Sequence, residues 1–159
     1  MYRTGLGYDS HRLIAGRPLI LGGVRIAYER GLEGHSDADA ALHAITDAIL
    51  GALAAGDIGE HFPDTDPRWA GADSAELLSQ AVALAGGEGY IIVNCDLTIF
   101  AEWPKLSPHK AAMQARIAQI LGVGPDCVGV KAKTNEHMGF IGRGEGIAAL
   151  AAILIKRNA

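Results

Sequence analysis

The sequence predicts an α+β fold, a mixed four-stranded sheet with helices packed on one of its faces. Three observations carry that expectation. Segments 2–12 and 90–101 alternate with the period of two that sends successive side chains to opposite faces of a strand. Three further segments, from Ser36 to Gly56, from Asp73 to Gly87 and over 108–121, carry caps or apolar residues at helical spacing. No repeat, low-complexity tract or linker interrupts the 159 residues, so 1–159 reads as a single domain. A chain of this length buries roughly 70% of its unfolded surface and needs no staples.

Taken in order, residues 2–12 (YRTGLGYDSHR) read as a strand with Gly5, Gly7, Asp9 and His11 on one face and Leu6 and Tyr8 on the other. Residues 18–26 (PLILGGVRI) read as two short strands turning at Gly22-Gly23. A helix is expected from near Ser36, with Ser36 as N-cap and Asp39 at the third position of a capping-box pattern. Its apolar stripe is Ala38, Leu42, Ile45, Ile49 and Leu53, and Gly56 ends it. Residues 57–72 are a loop dense in Asp, Pro and Gly, and Asp73 and Glu76 open a second helix to about Ala85, closed by Gly86-Gly87. Residues 90–101 (YIIVNCDLTIFA) are the clearest strand. Ile91, Val93, Cys95, Leu97 and Ile99 are expected on one face, and Tyr90, Ile92, Asn94, Asp96, Thr98 and Phe100 on a mixed face. A third helix spans about 108–121 and stops at Gly122, 127–134 is a short strand, and Gly139 to Gly146 is a glycine-rich loop. The tail 147–156 is open between helix, favoured by alanine, and strand, which its Ile and Leu tolerate. With three helices on one side, the mixed face of 90–101 stays bare, and another subunit is its simplest cover.

Composition narrows the function. The net charge is −4, so no basic field exists to hold a polyanion, and a nucleic-acid partner is not expected. Cys95 and Cys127 form neither a CxxC pair nor a disulfide framework, which suits a reducing cytoplasm. No apolar run approaches the ~20 residues that span a bilayer, so no membrane association is expected. The first residues, Met-Tyr-Arg-Thr-Gly, have no apolar signal core, and no transit peptide is expected ahead of the fold.

Several residue groups offer chemistry. Asp9 and His11, two apart on a strand, point the same way, and His43 lies on the flank of the first helix's stripe. Two imidazoles and a carboxylate with a fourth position open make a catalytic zinc pattern; alternatively, His11 is a surface strand residue and His43 a hydrogen-bonded flank residue. Asp39 and Asp47 stand four residues either side of His43, and either is placed to accept its second imidazole N–H. His35-Ser36 at a helix start suits an anion, or is a plain cap. The loop Asp57-Ile58-Gly59 with Phe62-Pro63-Asp64-Thr65-Asp66 suits hydroxyls or a hydrated cation, or simply holds solvated turn acids. Lys131, Lys133, Thr134, Asn135 and Glu136, followed by Phe140 and Arg143 in glycine-rich backbone, combine phosphate clamps with a carboxylate for Mg²⁺ or Mn²⁺, or form a charged turn. No G-x-x-x-x-G-K-[ST] loop, G-x-S-x-G elbow or Cys/His pair stands out. A His/His/Asp metal, a second cation site and several phosphate donors together suggest phosphoryl transfer.

Six strings carry a resemblance to a known family. They are Gly7-Tyr8-Asp9-Ser10-His11, the stretch from His35 to His43, Asp57-Ile58-Gly59, Phe62 to Asp66, Ala101-Glu102-Trp103-Pro104-Lys105, and Thr134-Asn135-Glu136 with Gly139 to Ala148. In this order, from Gly5 to about Lys156, the chain resembles the 2-C-methyl-D-erythritol 2,4-cyclodiphosphate synthase family of the non-mevalonate isoprenoid pathway. The resemblance implies one Zn²⁺ per chain held by Asp9, His11 and His43, and a second divalent ion, Mg²⁺ or Mn²⁺, at Glu136. It implies that His35 and Thr134 stabilise the transition state, that residues 57–59 and 62–66 surround the erythritol phosphate, and that Ala101 to Leu106 read cytosine, largely through backbone. Ser10, Ser36, Lys133, Asn135, Phe140 and Arg143 join the implied substrate contacts. It further implies that 147–156 is a strand, and that the molecule is a homotrimer with sheets facing inward and active sites between subunits. Lys133 departs from the threonine expected in many members, so an ammonium replaces a hydroxyl there.

The implied reaction converts 4-diphosphocytidyl-2-C-methyl-D-erythritol 2-phosphate to 2-C-methyl-D-erythritol 2,4-cyclodiphosphate and CMP. The 2-phosphate attacks the β-phosphorus. Nucleophile and leaving group are both low-pKa phosphate oxygens, so the obstacle is anion repulsion and not proton transfer. A zinc phosphohydrolase releasing a linear phosphate, and a trimeric binding module with structural zinc, are the competing readings.

Overall fold

The computed structural model describes residues Met1–Asn158. In chain order the strands are β1 (Tyr2–Ala15), β2 (Leu19–Leu21), β3 (Val24–Ile26), β4 (Arg30–Leu32), β5 (Tyr90–Phe100), β6 (Val128–Lys133) and β7 (Gly146–Arg157). The helices are α1 (Ala40–Leu53), α3 (Ser74–Gly87) and α4 (Lys110–Leu121), with single helical turns α2 (Ile58–His61) and α5 (Gly139–Gly142). The main sheet runs β4-β1-β7-β5-β6, with β2 and β3 in a separate ribbon. Neighbours are antiparallel except β5 and β6, which are parallel, so the sheet is mixed and the fold α+β as expected.

The sheet has five strands where four were expected. The addition is β4, three residues that pair with the end of β1 (Leu13 opposite Leu32). The tail is a strand, β7, lying between β1 and β5 in the sheet. Its alanines are explained by what covers them. Gly5 and Gly7 pair with Ile153 and Ala151 on the face that meets α1. A Cβ at Gly5 would overlap the carbonyl oxygen of Ala48, and one at Gly7 that of Ala44. Helix and sheet therefore approach until backbone touches backbone, and small residues on both sides permit it.

Two local expectations are corrected. Helix α1 starts at Ala40, not near Ser36; its N-cap is Asp39, whose carboxylate accepts the Leu42 N–H, and it ends at Ala54 in the left-handed conformation, before Gly56. In β5 the alternation breaks at a bulge between Ile92 and Asn94. Tyr90 and Ile92 therefore lie on the buried side with Cys95, Leu97 and Ile99, while Ile91 is exposed. The opposite face carries Leu6, Tyr8 and Leu150 open to solvent, at 72%, 54% and 42% of their full exposure.

Candidate active site

The strand and helix that touch so closely also carry the three candidate ligands. Asp9 and His11 follow Gly5 and Gly7 on the same face of β1, and His43 precedes Ala44 in α1. Asp9 Oδ2 lies 2.8 Å from His11 Nε2 and 3.0 Å from His43 Nδ1. The two imidazole nitrogens are 3.2 Å apart. His11 Nδ1 faces the Glu33 carbonyl at 2.7 Å, and a carbonyl only accepts, so Nδ1 carries the proton and Nε2 offers a lone pair. Asp9 Oδ2 and His11 Nε2 are thus acceptors, and with the His43 ring proton on Nε2 its Nδ1 is a third; a cation resolves that convergence. A tetrahedral zinc with bonds of about 2.0–2.1 Å sets its ligand atoms about 3.3 Å apart, so the triangle fits that metal. Burial pushes the Asp9 carboxyl up, but hydrogen bonds and charge from His11 and His43 outweigh it and hold it below the usual carboxylate range. Burial pulls the His11 imidazole down; the Asp9 carboxylate more than offsets this and the net shift is upward.

Neither aspartate flanking His43 accepts its other ring nitrogen. Asp39 is fully buried and binds the N–H groups of Gly22, Gly23 and Leu42 at 2.9, 2.7 and 3.1 Å, which ties the β2–β3 turn to α1. Asp47 accepts the Ile58 N–H at 2.7 Å and so anchors α2. His43 Nε2 instead meets Ser74 Oγ at 2.8 Å and Ser36 Oγ at 3.2 Å. No spacing signal points to Ser74, which belongs to a different helix.

A cavity of about 450 Å³ opens over the triad. It gathers Asp9, His11 and His43 with His35, Ser36, Ile58, Gly59, Phe62, Pro63 and Asp64, and adds Gly34, Trp69 and Leu77. Trp69 stands edge-on to Phe62 with ring centres 5.1 Å apart, building one wall. Asp57 and Asp66 do not line it. Asp57 caps α2 through the Glu60 N–H, and Asp66 is engaged by the Arg68 N–H and guanidinium, which hold its carboxyl below the usual range. Thr65 is exposed beside them.

The remaining candidates cluster elsewhere. A second cavity of about 400 Å³ is lined by Ala101 to Ser107 with Ala132, Lys133, Thr134, Glu136 and His137. Thr134 Oγ1 donates to Glu136 Oε1 at 3.0 Å. Glu136 and His137 hold left-handed backbone, φ 51° and 62°, a conformation that L side chains rarely adopt. Buried Glu102 braces that turn, accepting the Asn135 N–H at 3.1 Å and facing His137 Nδ1 at 2.9 Å. Its side chain is therefore structural support beneath the loop. Asn135 Nδ2 donates to the Met138 carbonyl. Lys131 pairs with Asp96 and Arg143 with Glu145, each at 2.7 Å. Ser10 and Phe140 meet at a smaller hollow that also touches His11. The two main cavities share no residue.

Residues 2–156 match the model of the YgbB family. The chain belongs to that family. It is 62% identical over 151 residues to the 2-C-methyl-D-erythritol 2,4-cyclodiphosphate synthase of Symbiobacterium thermophilum, covering 95% of this chain and 96% of that one. A solved synthase of the same description, in a CDP-bound form, superposes with a TM-score of 0.90 at 40% identity, covering 97% of this chain and 100% of the other. The bifunctional IspDF of Campylobacter jejuni matches with a TM-score of 0.95 at 45% identity, over 99% of this chain and 42% of that longer one. Membership of the YgbB family bears out the resemblance drawn from the sequence and makes the chain an enzyme, a phosphorus–oxygen lyase.

Proposed function

We propose that the protein closes 4-diphosphocytidyl-2-C-methyl-D-erythritol 2-phosphate onto itself, giving 2-C-methyl-D-erythritol 2,4-cyclodiphosphate and CMP. The observation that carries this is the convergence of Asp9, His11 and His43 ligand atoms within 2.8–3.2 Å at the floor of a cavity, in a chain of this family. These residues would hold Zn²⁺, which supplies charge neutralisation and polarises a phosphoryl oxygen. The cavity walls at His35, Ser36 and 58–64 receive the erythritol phosphate end. Ala101 to Leu106 receive the cytidine, and Lys105 and Lys133 supply positive charge for its phosphates. Glu136 would hold the second divalent ion, Mg²⁺ or Mn²⁺, with Thr134 beside it to donate to developing charge. Ring closure requires the substrate to be folded with its attacking oxygen near the β-phosphorus, which two facing cavities accomplish by fixing its two ends.

Those cavities share no lining residue within one chain, and a homotrimer would join the first cavity of one subunit to the second of its neighbour. The bare sheet face with Leu6, Tyr8 and Leu150 supplies the inward contact, so the active site lies between subunits. Cys95, buried and pushed up to about 12 by burial and by Asp96, and Cys127 are unpaired, in keeping with a cytoplasmic setting. No helix among the described residues is long and apolar enough to cross a membrane. Incubation with substrate and divalent metal, followed by ³¹P NMR, tests the reading. Two coupled cyclic diphosphate signals and CMP are expected; a linear phosphate monoester product would overturn it.

A further inference from the structure

The geometry points to Ser74 and Asp37 as positioning residues for the metal site: a hydroxyl–carboxylate pair that fixes the proton of His43 on Nε2 and so presents Nδ1 as a ligand. The inference rests on the zinc assignment above and adds two residues from outside the ligand set.

The hydrogen bonds allow one direction only. His43 Nδ1 faces Asp9 and His11, so a ligating Nδ1 requires the ring proton on Nε2. Nε2 meets Ser74 Oγ at 2.8 Å; Ser36 Oγ, at 3.2 Å and already accepting the Ala38 N–H, is the longer partner. The Ser74 hydroxyl has one proton to give. Its acceptor is Asp37 Oδ1, in a short contact, and a carboxylate can only accept. The chain therefore reads His43 N–H to Ser74 oxygen, and Ser74 O–H to Asp37. Reversing it, with Ser74 donating to Nε2, would leave the short contact between the Ser74 and Asp37 oxygens with no proton in it at the fully buried Ser74.

Asp37 is itself held. It accepts the Ser74 N–H on Oδ2 and the Asp39 N–H on Oδ1, both at 3.1 Å, and its own N–H donates to the Ala72 carbonyl at 3.1 Å. These bonds bolt the first residue of α3 to the segment entering α1. The left-handed Ala38, φ 59°, lies inside this knot, where the chain turns so that Ser36 and Asp37 both face inward. Groups that orient a metal-ligating imidazole through its free nitrogen typically govern about 10- to 100-fold in metal affinity.

The test measures zinc affinity by competition with a chromophoric chelator, and the visible absorption of the cobalt-loaded protein. Variants are Ser74→Ala, Asp37→Asn, the double variant, and Ser79→Ala, a control on the same helix. Ser74→Ala and Asp37→Asn are each expected to weaken zinc about 10- to 100-fold and shift the cobalt band. The double variant should lose no more than the weaker single, since both break one chain. Ser79→Ala should bind as the parent does. If Ser74→Ala fails to fold, Asp37→Asn, which keeps the buried hydroxyl, carries the test. Parent affinity and an unshifted cobalt spectrum in the folded variants would overturn the inference. A parent protein that takes up no zinc would overturn the metal assignment itself, and this inference with it.

Discussion

At the scale of single residues, the candidate site divides into groups legible from spacing and groups that only the fold assembles. Asp9 and His11 were readable because a strand places alternate residues on one face, and His43 because it flanks a helical stripe. Asp37 and Ser74 were not, because a hydroxyl and a carboxylate 37 positions apart leave no periodic trace. The partner assumed for His43, Asp39 or Asp47, failed for a physical reason: both carboxylates are consumed by backbone N–H groups. If His35 and Thr134 donate to developing charge without holding zinc, then His35→Ala and Thr134→Ala each cut turnover by about 10²–10³ with zinc content unchanged. Steady-state rates beside metal analysis check this, and parent-like turnover would remove the residue from the mechanism. Asp39 gives a stability prediction. Burial drives its carboxyl from 3.8 to about 6 against three N–H bonds, so the folded protein holds that proton more tightly than the unfolded chain. The resulting stabilisation is complete below pH about 4 and is lost as pH rises through about 6. Urea unfolding should show the parent's advantage over Asp39→Asn shrinking across that window; an advantage that grows there would contradict it.

At the scale of elements, β1, the β2–β3 ribbon, α3, α4 and β6 lie close to where the sequence put them, because caps, turns and alternation are local signals. The misses are non-local. The bulge in β5 follows from pairing with β7, where register shifts between Ile92 and Asn94, and no property of YIIVN alone announces it. β4 is defined by its pairing with the end of β1, 15 or more residues earlier in the chain, and three residues carry no alternation of their own. Helix α1 begins late because Ala38 is left-handed and Ser36 and Asp37 bond to the His43 and Ser74 side chains. The glycines of β1 give the element-scale prediction. Gly7→Ala sets a Cβ into the backbone carbonyl of Ala44, the residue after His43, so α1 must move off the sheet. Thermal and urea unfolding should show a loss of about 1–3 kcal/mol or more, and zinc affinity should fall with it. Parent stability with parent zinc affinity would show that the close contact is not what positions His43.

At the scale of the whole molecule, the two cavities and the bare face of the sheet define the account. Opposite α1 the sheet exposes Leu6, Tyr8 and Leu150, which a water-facing sheet would replace with polar residues. If each active site joins the zinc cavity of one subunit to the Thr134 cavity of its neighbour, two dead variants can repair each other. His43→Ala lacks the metal and Thr134→Ala lacks the donor. Unfolded together and refolded as mixed trimers, they should recover about one quarter of parent activity, the fraction of random neighbour pairs in which both halves are intact. Activity no higher than that of either variant would place both halves within one chain.

Oxygen isotope tracing separates ring closure from hydrolysis. A cyclase uses the substrate's own phosphate oxygen as nucleophile, whereas a hydrolase using the same metal would deliver hydroxide from water. The enzyme is run in ¹⁸O-water and the products are weighed by mass spectrometry. A cyclic diphosphate and CMP are expected, neither carrying label from the turnover. One ¹⁸O per turnover in a linear phosphate product would contradict it.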